Sequence, residues 1–105
     1  MAWIMLVVAG LFEVVWAYSM KQSEGFTKLI PSVITVTGMI ISFVLLALAM
    51  RTIPLGSAYT IWTGIGAIGA FIAGVVFLGE QLNFTRACAA LLIVTGLIMM
   101  KVASR

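Results

Sequence analysis

From Leu29 to Met50 the chain carries no charged residue. A helix that crosses the roughly 30 Å hydrocarbon core of a bilayer takes about 20 apolar residues, and this run is long enough. Its one helix breaker, Pro31, falls in the first turn, where a missing N–H does no harm. Composition extends the reading to the rest of the chain: 64% of residues are hydrophobic and 9% are charged, against about 25% charged in an average soluble domain. The 105 residues accommodate four such helices, expected at 2–20, 29–50, 57–78 and 87–103. They form a single four-helix transmembrane domain spanning 1–105, an all-α membrane protein. The segments KQSEGFTK, RTIPLG and EQLNFTR between them are short polar turns, so sequential helices are expected to run antiparallel. The first stretch lacks a basic leader and a small-x-small cleavage site, and is read as a retained membrane helix rather than a signal peptide.

That first helix contains the most costly residue in the chain. Glu13 lies within Ala9-Gly-Leu-Phe-Glu-Val-Val-Trp-Ala17, and an ionisable group in hydrocarbon costs roughly 2.5–3.5 kcal/mol even on insertion scales. No Lys or Arg on the same helix is within reach of it. Glu24 and Glu80 fall in aqueous turns, and neither His nor Asp occurs. Glu13 is therefore the one group placed to exchange a proton inside the membrane. Desolvation penalises its charged form, which is the condition for a carboxylate to take a proton on one side and yield it to a cation on the other.

Absences remove other chemistries. Without His or Asp, and with Cys88 as the only cysteine, zinc sites, Ser-His-Asp triads and internal disulfides are excluded. The glycines at 64, 66 and 69 lie in an apolar helix and lack the context of a nucleotide-binding loop. No cofactor or metal is expected, and an ATP-driven or redox enzyme has nothing here to work with. Its six cations are scattered singly near helix ends, where they anchor helices at the lipid headgroups; nucleic acid is not an expected partner.

Residues three and four apart share a helix face. The Glu13 face holds Ala9, Gly10, Trp16 and Ala17, small residues that admit a neighbouring helix beside one large aromatic. Trp16 reads either as an interfacial anchor or as a wall over a cation held by Glu13. A second face, Tyr59, Trp62, Thr63 and Gly66, suits an aqueous cavity, although Tyr59 also fits an aromatic belt. The ridge Gly66, Ala70 and Gly74 permits close helix packing, and Gly64 with Gly66 marks a candidate bend. Ser42 is the polar residue nearest the middle of the second helix, where a lone serine usually bonds its own helix.

The flanking charges balance: Arg51, Lys101 and Arg105 on one side of the membrane, Lys21, Lys28 and Arg86 on the other. Loop charge then gives no orientation bias, so the chain is expected to insert both ways and pair with an inverted copy, unless another signal fixes one orientation. Four helices are too few to surround a substrate path, whereas an inverted pair reproduces the inverted-repeat arrangement of larger transporters.

Gly10 with Glu13, SEGFTKLIPS at 23–32, and Pro54-x-Gly56-x-Ala58-Tyr59-x-x-Trp62 carry a family resemblance. Over essentially its whole length the chain resembles the small multidrug resistance transporters. Glu13-Val-Val-Trp16-Ala17, Trp62-Thr-Gly-Ile-Gly-Ala67 and the Gly96-x-x-x-x-Lys101 ending make it most similar to the guanidinium-exporter subtype. The resemblance implies an antiparallel, dual-topology homodimer in the bacterial inner membrane, exchanging guanidinium outward for protons inward. It further implies that Glu13 binds both ions, with Trp16, Ser42, Tyr59 and Trp62 around it; Gly10 and Thr63, on the same two helix faces, are read as further lining residues. Rival expectations are a polyspecific exporter of quaternary ammonium ions, a membrane subunit that transports nothing, and a heterodimer with a paralogous chain.

Overall fold

The structure, a computed structural model, describes residues 1–103; Arg105, counted among the flanking charges, lies outside the described residues. Four helices follow one another: α1 (Ala2–Gln22), α2 (Leu29–Ala49), α3 (Leu55–Phe77) and α4 (Phe84–Ala103). All four are long and apolar enough to cross a membrane. At 1.5 Å per residue the 21 residues of α2 reach roughly 31 Å. In lipid, a helix is favoured because it satisfies every interior backbone group within the segment.

The helix ends differ from the expected bounds for local reasons. The fourth helix begins at Phe84 rather than at Ala87, because the Asn83 side-chain carbonyl accepts the Arg86 N–H at 2.8 Å, an N-cap bond. The third begins at Leu55, directly after Pro54, so Gly56 lies inside the helix and does not break it. The first continues to Gln22 and stops at Ser23, whose hydroxyl donates to the Met20 carbonyl at 2.7 Å and accepts the Phe26 N–H at 3.0 Å. Beyond it Glu24, Gly25 and Phe26 all adopt positive φ, 50°, 75° and 67°, a left-handed course that only Gly25 takes without steric cost. Thr27 ties the turn shut by donating to the Ser23 and Glu24 carbonyls at 3.1 and 3.0 Å.

α1 packs against both α2 and α3, whereas α4 packs against α3. The buried stripe of α2, Thr35, Gly38, Ser42, Leu46 and Ala49, has the three- and four-residue spacing of one helix face. It meets α1 closely: a Cβ on Gly38 would lie 3.1 Å from the Trp16 Cβ. With Leu6, Ala9, Ala58, Ile61 and Trp62, this seam forms the core of the chain. α4 contributes no buried residue. Between α3 and α4 runs an apolar crevice of about 490 Å³ lined by Tyr59, Thr63, Gly64, Gly96, Leu97 and Met100 among others. Cations near the two ends of α4 cover aromatic rings of other helices, Lys101 over Trp3 of α1 at 4.5 Å and Arg86 over Phe71 of α3 at 5.0 Å.

Candidate functional site

A polar relay joins the three inner helices. The Trp62 indole N–H donates to the Ser42 hydroxyl at 2.9 Å, and that hydroxyl donates to the Ala9 carbonyl at 2.7 Å. Ser42 is fully buried and Trp62 nearly so. The hydroxyl thus links α3 to α1 across α2 instead of bonding its own helix. Thr35, on the same stripe, does bond its own helix, donating to the Pro31 carbonyl at 2.8 Å. The difference follows from neighbours: at Ser42 an acceptor on α1 and a donor on α3 are both in reach.

Glu13 lies one turn along α1 from Ala9, and Gly66 lies one turn along α3 from Trp62, so the acid sits one turn beyond the relay. Its side chain lies directly over Gly66; a Cβ at that glycine would overlap the carboxylate. Glu13 Oε1 is buried without a hydrogen-bond partner, as is the Trp16 indole nitrogen one turn further along α1. Unpartnered buried polar atoms are uncommon and call for an explanation such as a functional role. Among the described residues no cation pairs with Glu13, whereas Glu24 meets Lys28 at 3.3 Å and Glu80 meets Arg86 at 3.6 Å.

Aromatic rings continue the wall. Phe43 contacts Trp16 and Trp62 edge-on, with centroids 6.3 and 5.8 Å away, and Tyr59 tilts over Trp62 at 5.6 Å. Sequence reasoning passed over Phe43, which looks like a lipid-facing residue of an apolar run. Its place next to Ser42 was the one available signal.

The remaining candidates separate by helix face. Gly10 admits α3, since a Cβ there would lie 2.6 Å from Ile65. Thr63 is exposed and lines the α3–α4 crevice, so within the chain it is not brought to Glu13; Tyr59 borders both regions. Along α3, Gly64 makes room for Leu97 of α4, Gly66 for Glu13, Gly69 for Val14 and Gly74 for Glu80. Ala70, between the last two, lines a small cavity with Ala17, Tyr18 and Lys21. Among the described residues no cluster of His, Cys, Asp or Glu could hold a metal ion.

This arrangement can hold a small flat cation: a carboxylate with one buried, unpartnered oxygen and several π-faces nearby. The family model for Small Multidrug Resistance protein matches residues 1–93. The chain is 56% identical over 104 residues to the guanidinium exporter of Escherichia coli strain K12, covering 99% of both chains. It is 52% identical to the guanidinium exporter of Salmonella typhimurium strain LT2 and 51% to that of Citrobacter freundii, again over 99% of each.

Proposed function

The chain belongs to the small multidrug resistance family, and on that footing we propose that it exports guanidinium across the bacterial inner membrane in exchange for protons, with Glu13 binding both. The observation that carries this reading is the Glu13 carboxylate, placed among apolar helices with Oε1 buried and unpartnered. Guanidinium is planar, stays charged near neutral pH and presents paired N–H donors that match a carboxylate. Trp16 and Trp62 supply faces for the flat cation, and the Trp62–Ser42–Ala9 relay holds one of those faces in register. A proton and guanidinium compete for the same carboxylate, so loading one releases the other.

The functional unit is an antiparallel homodimer of inverted copies, each chain acting as one four-helix transmembrane domain over 1–105. The absence of any buried residue on α4 and the balanced flanking charges support this pairing. Swapping the two protomers' conformations opens the shared site to opposite faces of the membrane. A quaternary ammonium exporter would use the aromatic walls equally well. Such ions donate no hydrogen bonds, however, and the unpartnered Glu13 Oε1 favours a donor.

Proton-coupled currents in liposomes containing the purified protein test the proposal. Guanidinium is expected to drive current, and Glu13→Gln to abolish it. Current with tetrapropylammonium and none with guanidinium would sink the reading in favour of the polyspecific one.

A further inference from the structure

Gly66 sits where a side chain and the Glu13 carboxylate cannot coexist. An added Cβ would meet Glu13 Oε1 and Cδ, with Cγ 2.7 Å away. The other α3 glycines facing neighbouring helices meet apolar side chains, Leu97 at Gly64 and Val14 at Gly69. Only at Gly66 does the missing side chain make room for an acid in the membrane. Alanine is favoured over glycine in a helix interior by about 1 kcal/mol, so glycine here runs against the local preference of α3. The carboxylate rests on this surface with Oε1 buried and, among the described residues, without a hydrogen-bond partner.

We propose that Gly66 is a positioning residue for Glu13: the space left by its missing side chain seats the carboxylate against α3 and fixes where its charge meets the proton and the cation. Any side chain at this position swings the carboxylate off α3, changing its solvation and the geometry it offers to paired N–H donors. The seat rests on the exchange reading above only for the identity of the cation. Other groups do not readily account for a change in Glu13 titration. α2 contains no titratable residue, α3 has Tyr59 alone, and α1 otherwise holds Tyr18 and Lys21 toward its end.

The test is a titration of the three glutamate carboxyls in carbon-13-labelled protein in bicelles, with Glu24 and Glu80 as internal references, followed by guanidinium binding. In Gly66→Ala the Glu13 midpoint is expected to move by about half a pH unit or more, as a changed local solvation requires, and guanidinium affinity to fall about tenfold. Gly69→Ala, which meets Val14 instead, is expected to leave the Glu13 midpoint in place. In a Glu13→Asp background, whose carboxyl is withdrawn by one methylene, Gly66→Ala is expected to have less than half its effect. An unmoved midpoint in Gly66→Ala, or an equal movement in Gly69→Ala, overturns the proposal. If Gly66→Ala does not fold, recovery of folded protein on adding Glu13→Asp supports the seat and failure to recover overturns it. A moved midpoint in a protein whose parent binds no guanidinium leaves the seat standing and removes the guanidinium reading.

Discussion

Glu13 and Glu80 both lie over glycines of the same α3 ridge, Gly66 and Gly74, yet they meet opposite fates. Glu80 sits past the end of α3, its N–H donating to the Gly74 carbonyl at 3.0 Å and its carboxylate 3.6 Å from Arg86. Both side chains of that pair are substantially exposed, 38% for Arg86 and 43% for Glu80, so water shares the work. Glu13 occupies an equivalent notch two turns deeper, where no cation among the described residues pairs with it. A glycine notch alone therefore does not distinguish the two acids. What sets Glu13 apart is a buried carboxylate oxygen with no hydrogen-bond partner among the described residues.

Neutralising each acid in turn separates the two most strongly. Glu13→Gln is expected to reduce guanidinium-driven proton flux in liposomes to the level of empty vesicles. Glu80→Gln is expected to keep it within about twofold, since exposed ion pairs contribute only about 0–1 kcal/mol. Comparable losses in the two variants would put Glu80 in the transport path and dissolve the distinction. Lower pH is also expected to weaken guanidinium binding in the parent, as protons occupy the shared carboxylate, while Glu80→Gln leaves that dependence unchanged.

The next effect concerns the relay that shapes the wall beside Glu13. Ser42→Ala leaves the Trp62 N–H and the Ala9 carbonyl buried without each other's link, and interhelical side-chain bonds in membrane proteins contribute about 0.6 kcal/mol each on average. With two bonds lost, a destabilisation of about 1–2 kcal/mol is expected in reversible unfolding, together with weaker guanidinium binding. Thr35→Val removes only a bond within α2 and is expected to cost about half as much or less. Equal costs would mean that Ser42 is a packing residue and not a tie between helices.

These cases also mark how far the sequence reaches. Glu13 is legible because its cost does not depend on helix rotation, and the four spans are legible because hydrocarbon thickness sets their length. Ser42, Phe43 and Thr63 are not legible in the same way. Whether a hydroxyl bonds its own helix or the next, and whether Thr63 turns toward Trp62 or toward α4, depends on how each helix is rotated about its axis. Long apolar helices with lipid on one side and protein on the other carry little periodic contrast to fix that rotation. The start of α4 is not legible either, because Asn83, its cap in the structure, lies within the polar run EQLNFTR.

A smaller effect is expected at the outer notch. A Cβ on Gly74 would lie 2.6 Å from Glu80 Oε1, the far end of a flexible side chain with water to move into. Gly74→Ala is therefore expected to change stability by less than about 1 kcal/mol, with the gain in helix propensity offsetting the displaced carboxylate. Gly66→Ala lacks such an outlet for Glu13. If the two substitutions alter transport equally, the depth of the notch does not matter.

The smallest effect separates charge from packing around Arg86. Its guanidinium pairs with Glu80, donates to the Gln81 carbonyl at 2.5 Å and covers the Phe71 ring at 5.0 Å. Glu80→Gln removes only the ion pair, whereas Arg86→Gln removes all three contacts. Surface ion pairs are screened by salt, with a Debye length of about 3 Å at 1 M. The stability difference between parent and Glu80→Gln is therefore expected to vanish in high salt, while that of Arg86→Gln persists in part through Phe71 and Gln81. A salt-independent loss in Glu80→Gln would mean that this carboxylate contributes through its seat on Gly74 and not through its ion pair, and the contrast between the two notches would rest on depth alone.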